Sequence, residues 1–207
     1  MKSILQINAS LYAGEGLSSR LADQMVAELR GQHPGAELIV RDLAREPVPH
    51  LDAERFGAFL AKLESRTPAQ HAVVSYSDAL IDELRRAEVI VLGLPMYNFG
   101  IPSQLKAWFD HVARAGVTFK YTEEGAVGLL SGKKVFVLAT RGGKYNMGTS
   151  GDSQTPFVRQ FLAFLGITDV EFIYAEGLAM GEAPKNEALA AAQGAIRRVA
   201  RRQRIAA

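Results

Sequence analysis

Short runs of consecutive apolar residues alternate along this chain with longer stretches in which apolar residues recur every three or four positions. The runs are SILQIN (3–8), ELIVRD (37–42), EVIVLGL (88–94), KVFVLAT (134–140) and VEFIYA (170–175). Several are apolar at successive positions, which predicts strands covered on both faces. The stretches between them carry helical periodicity. From Leu17 to Arg30 the apolar stripe is Leu21, Met25 and Leu29; residues 75–88 offer Leu80, Ile81 and Leu84. Residues 103–115 place Leu105, Trp108, Phe109 and Val112 on one face. Residues 155–166 open on Thr155-Pro156, a favourable cap and first-turn pair, and end at Gly166. A closing helix is expected over 186–204, rich in Ala and Arg.

Five strands alternating with helices predict right-handed βαβ units and an α/β fold with a doubly wound parallel sheet, helices on both faces. The stretch from Ala44 to Gln70 exceeds a simple crossover and predicts an extra helix near AERFGAFLAKL (53–63). With no repeat, low-complexity tract or linker, residues 1–207 read as one domain.

In such sheets ligands bind beyond the carboxyl ends of the strands where the strand order reverses, so the loops after strands one, three and four matter most. The first, NASLYAGEGLSSRL (8–21), is rich in Gly and Ser and runs into a helix, a suitable place for a phosphate. It is neither a dinucleotide fingerprint nor a Walker loop, because Gly14 and Gly16 lack the further glycines or the Gly-Lys those motifs require. The second loop, PMYNFG (95–100), puts large apolar groups where a turn normally carries small polar ones. Either the fold buries it or it meets a flat apolar ligand. The third, TRGGKYNMGTSGDS (140–153), has paired glycines that let backbone approach a ligand. Together, hydroxyls and amides for a phosphate, aromatic faces and glycine backbone suit a flat heteroaromatic ring bearing one phosphate.

Composition narrows the alternatives. The chain is 48% hydrophobic and 22% charged, as a folded globular protein should be. A formal charge of +2 predicts no nucleic-acid partner, and the arginines near the end read as a solvated helix face. There is no cysteine, hence no disulfide, thiolate metal site or Cys nucleophile; this fits a reducing compartment, and a cytoplasmic protein is expected. No apolar run reaches the roughly 20 residues of a membrane span. The four histidines are scattered without metal-ligand spacing, so no metal is expected. The first loop has no nucleophile elbow around Ser18 or Ser19. A phospho-acceptor receiver would need carboxylates where the chain has Asn8-Ala9-Ser10 and Leu94-Pro95-Met96.

The segments NASLYAGEGLS, RDLAREPVPHLD, PMYNFGIPSQLKAWFDHVARAGVTFKYTEEG, GKKVFVLATRGG and FLGITDVEFIYAEG, covering nearly the whole chain, resemble the FMN-dependent NADH azoreductase and quinone reductase family. That resemblance implies a flavodoxin-like fold with strand order 2-1-3-4-5 and a homodimer holding one FMN per subunit near the interface. It implies that Ser10, Gly16, Leu17 and Ser18 hold the phosphate, that Met96, Tyr97, Asn98 and Phe99 wrap the isoalloxazine, and that Thr140, Arg141, Gly142 and Gly143 line its other edge. Family members often carry Ser-x-Ser in the first loop; here Gly16 replaces the first serine. The implied reaction is ping-pong hydride transfer through FMN, from NADH or NADPH to a quinone or azo compound, with no essential protein acid or base. Backbone amides of 96–99 and 141–143 are expected to hydrogen-bond the ring and raise its reduction potential. Phe119, Tyr121 and Phe164 are candidates for the substrate wall, and equally for core or dimer contacts. The rival reading is a flavodoxin-like electron carrier without reductase activity of its own. Such carriers are usually strongly acidic, and a charge of +2 speaks against it.

Overall fold

A computed structural model describes residues 1–145 and 151–205. Its strands are β1 (Ser3–Asn8), β2 (Glu37–Asp42), β3 (Val89–Pro95), β4 (Phe119–Thr122), β5 (Gly125–Gly128), β6 (Lys134–Thr140) and β7 (Asp169–Ala175). The five expected strands form one parallel sheet in the order β2-β1-β3-β6-β7, which is 2-1-3-4-5 when only the sheet's own strands are counted. The helices are α1 (Leu17–Gln32), α2 (Ala53–Leu60), α3 (Pro68–Arg86), α4 (Ser103–Val112), α5 (Gln154–Phe164) and α6 (Glu182–Ile205). Among the described residues no helix is long and apolar enough to cross a membrane.

Consecutive apolar residues in the central strands feed two separate cores, because successive side chains of a strand point to opposite faces. Ile90, Leu92 and Leu94 of β3 and Val135 and Val137 of β6 pack with Leu80, Leu105, Phe109 and Val158 from α3, α4 and α5. Val89 and Val91, with Phe136 and Leu138, pack on the other side with Met25 and Leu29 of α1 and Ile196 of α6. The edge strand β2 is only partly covered, and Val40 is half exposed.

Three local readings are corrected. Helix α3 begins at Pro68, not at Ser75, because Thr67 and Gln70 form a reciprocal capping box with proline in the first turn. Thr155 does not cap α5: its N–H donates to Asp152 Oδ1 at 3.0 Å, and its hydroxyl accepts from the buried Arg141. The periodicity also missed a hairpin, since β4 and β5 pair antiparallel outside the main sheet. Its root is a backbone contact so close that a Cβ on Gly128 would lie 1.9 Å from the Gly166 nitrogen. The extra helix expected after Ala44 is α2, capped by Asp52, whose side chain accepts from Arg55 N–H at 2.8 Å.

The sheet order reverses between β1 and β3, so their carboxyl ends open a crevice. Helix α1 is drawn tightly onto it, since a Cβ on Gly93 would stand 2.9 Å from Ser18 O.

Candidate functional site

The loops after β1, β3 and β6 converge. They enclose a cleft of 180 Å³ lined by Ser10, Gly16, Leu17, Ser18, Met96, Tyr97, Thr140, Arg141 and Gly142 from the expected set. Tyr12, Pro95 and Leu178 complete the lining, while Asn98, Phe99 and Gly143 stand outside it. Residues 146–150 of the third loop lie outside the described residues.

The first wall is the start of α1. Among the described residues the N–H groups of Leu17, Ser18 and Ser19 have no backbone partner, as the geometry of a helix start requires. Ser18 Oγ is buried in the lining and has no hydrogen-bond partner among the described residues. Ser19 is not a ligand hydroxyl: it donates to Ala13 O at 2.7 Å and secures the preceding turn. Ser10 is buried, and its Oγ accepts from Tyr12 N–H at 3.2 Å. Gly16 has an ordinary extended backbone, with φ −65° and ψ 142°. Its lack of a side chain matters for space, because a Cβ there would stand 2.1 Å from Ser10 Oγ.

The second wall is a tight reverse turn. Tyr97 and Gly100 exchange both backbone hydrogen bonds, at 3.1 and 3.0 Å, around Asn98 and Phe99. Both central residues have positive φ, 48° and 65°, as a type I′ turn demands. Asparagine tolerates that conformation; phenylalanine does so only under constraint. The Tyr97 hydroxyl accepts from Leu11 N–H at 3.3 Å, joining this loop to the first.

The third wall rests on a buried ion pair. The Arg141 guanidinium has no exposed area and donates to Asp152 Oδ1 at 2.9 Å, Thr155 Oγ1 at 2.9 Å and Glu176 Oε1 at 3.1 Å. It also lies over the Tyr174 ring at 4.9 Å. Its charge is therefore neutralised inside the protein, and the residue serves the cleft by holding the loop. A fourth loop, which no pattern singled out, braces it: Gly177, Leu178 and Ala179 N–H donate to the Gly143, Arg141 and Gly142 carbonyls. It follows the edge strand β7, away from the order reversal, where a topological search does not look. Its one sequence signal is Gly177, at φ 76°.

The expected set of ring-facing amides narrows as well. Met96 N–H is committed to Thr140 O, Tyr97 N–H to Gly100 O and Arg141 N–H to Ala175 O. Among the described residues, the N–H groups of Asn98, Phe99, Gly142 and Gly143 have no backbone partner. Phe119, Tyr121 and Phe164 form a cluster of their own, with Phe119 4.3 Å from Phe164 and 5.4 Å from Tyr121, and none lines the cleft.

The lining offers amides, a hydroxyl and a helix start equivalent to about half a positive charge, a site for an anion. Among the described residues it contains no paired nucleophile and base, so its own side chains supply binding rather than bond-making.

The profile of the flavodoxin-like fold family matches residues 2–200. An FMN-dependent NADH:quinone oxidoreductase of Alcanivorax borkumensis is 54% identical over 94% of this chain and 98% of its own length. One from Burkholderia thailandensis is 55% identical over 95% and 98%. Among solved structures, an FMN-dependent NADH-azoreductase from Bacillus anthracis in complex with FMN superposes with a TM-score of 0.88 at 27% identity, covering 98% of this chain and 99% of that one. The chain belongs to the flavodoxin-like family that includes the FMN-dependent NADH:quinone oxidoreductases.

Proposed function

We propose that this chain is an FMN-dependent NADH:quinone oxidoreductase that also reduces azo compounds, acting as a single domain over 1–207. The observation that carries the reading is Ser18, whose buried, unpartnered hydroxyl lies beside the free amides of the α1 start. Those groups fit a phosphate monoester. Leu17, Ser18 and Ser19 N–H and Ser18 Oγ would hold it, while the amides of Asn98, Phe99, Gly142 and Gly143 would address the polar edge of the ring. FMN held there would supply two-electron redox chemistry between NADH or NADPH and the acceptor, in a ping-pong order. The residues orient the ring and place hydrogen-bond donors where charge develops on it.

The cleft is smaller than the roughly 300 Å³ at the lower end of ligand pockets, so a flavin there needs a second wall. We assign that wall to a second copy of the chain in a homodimer. Exposed Tyr12, Phe99 and Tyr121 support this, since aromatic residues favour interfaces. A cytoplasmic location is the one that a cysteine-free composition suits.

The test is direct. The purified protein should be yellow, release FMN on denaturation, and oxidise NADH with a quinone in the absence of any partner protein. Ser18→Asp, which sets a carboxylate against the phosphate, should weaken FMN binding markedly. A colourless protein without FMN affinity would defeat the reading; bound FMN without turnover would favour an electron carrier.

A further inference from the structure

Three consecutive residues at the start of α5 reach both loops that flank the ring side of the cleft. Asp152 Oδ1 accepts from Arg141 Nη2 and so holds the third loop. Ser153 Oγ donates to Phe99 O. Gln154 Nε2 donates to Pro95 O at 2.9 Å and to Gly100 O at 3.2 Å.

Gln154 is 1% exposed, and its Oε1 has no hydrogen-bond partner among the described residues. Rotating the amide would put its oxygen against two carbonyl oxygens, so the two acceptors dictate the observed orientation. The amide thus leaves its own acceptor unsatisfied in order to grip backbone on both sides of the Tyr97–Gly100 turn. That turn needs a grip. Phe99 sits at φ 65°, where a bulky residue persists only if its surroundings hold it.

We infer that Gln154, assisted by Ser153, is a positioning residue: it holds the strained Tyr97–Gly100 turn so that the free Asn98 and Phe99 amides keep a fixed place beside the cleft, where a bound ring could meet them. The inference rests on the FMN reading for its redox consequence, but not for its mechanical one. Gln154 touches the turn, not the ring, and acts through it.

The experiment compares the purified wild type with Gln154→Leu, which keeps the side chain's bulk and removes both donors. Hydrogen exchange should rise about tenfold or more at the Tyr97 and Gly100 amides, the loss expected when at least one of the two hydrogen bonds bears on the turn, with β3 and β6 unchanged. The reduction potential of bound FMN should move toward that of free FMN. Adding Phe99→Gly gives the turn an Asn-Gly pair, which forms a type I′ turn without a clasp, and should restore the protection. Unchanged exchange at both amides would overturn the inference. So would exchange that rises uniformly through β3 and β6, or a double variant that is not restored, since either marks Gln154 as general packing. If the wild type bound no FMN, the proposed function would fall while the exchange result still judged the clasp.

Discussion

Arg141 Nη2 and Asp152 Oδ1 stand 2.9 Å apart, and neither side chain has any solvent exposure. Such a pair is costly to break from one side, because the remaining charge stays buried without its partner. Asp152→Ala should therefore destabilise the fold by about 3–5 kcal/mol in urea unfolding at neutral pH. A loss below roughly 1 kcal/mol, the usual range of a surface pair, would show that Glu176 and Thr155 suffice for Arg141.

The same carboxylate should shape the acid limb of stability. Burial pushes its pKa up, but hydrogen bonds from Thr155 N–H, the Thr155 hydroxyl and Arg141 outweigh that and hold it below the ordinary value. A depressed carboxylate contributes fully above its unfolded value of about 4 and loses that contribution as pH falls through the folded value. Unfolding free energy measured from pH 5 downward should fall more steeply for wild type than for Asp152→Asn.

His111 makes the complementary prediction at higher pH. Its ring is buried edge-on to Phe59 and Tyr76, and Nε2 lies 3.0 Å from Pro49 O. Desolvation holds the imidazole below its usual pKa; the Pro49 carbonyl and Asp110 oppose this, while Arg55 and Arg114 add to it. The unfolded chain then takes up a proton the folded one refuses, so stability should decline as pH falls below about 6.5. His111→Gln should flatten the profile between pH 7 and 5, and an unaltered slope there would rule out His111 as its source.

Gly16 and Ser10 should prove coupled. Gly16→Ala adds a Cβ into space occupied by the Ser10 side chain, and overpacking of this kind costs about 1–3 kcal/mol. Ser10→Gly should recover most of that loss in the double variant. Additive effects in the cycle would mean that Ser10 simply swings away.

Phe99→Gly on its own is expected to stabilise the protein by about 0.5–1 kcal/mol, since glycine adopts positive φ without the steric penalty. The ring is 62% exposed, so little burial is lost. Quinone turnover should fall at the same time, because the aromatic face beside the cleft is gone. A destabilised variant would show that the edge contact with Tyr145 outweighs the backbone strain.

How much of this was legible in the sequence depends on what each feature is made of. The strands were, because residues such as Val135 to Leu138 are apolar at every position and a doubly covered strand uses them all. The three loops followed from topology. The fate of individual groups did not: Arg141 was expected to line the edge of the ring, and only coordinates reveal that Asp152 and Glu176 take its charge. The clasp at Gln154 was equally silent, because its partners are backbone carbonyls of residues more than fifty positions away and carry no sequence signature. Thr155 misled for a related reason, since a Thr-Pro pair has the look of a cap even where the Thr155 N–H is itself bound by Asp152.

The root of the β4–β5 hairpin is fixed by two side chains that do not exist. A methyl group at Gly128 would collide with the Gly166 backbone, and one at Gly166 would press to 3.0 Å on Gly128 at a φ of 93°. Neither glycine can drift to another residue while the hairpin keeps its seat, and changing both at once doubles the collision instead of relieving it. Glu123 and Glu124 at the tip are exposed and face no such barrier. Over evolutionary time the hairpin should therefore vary from its tip inward and stay constant at its root.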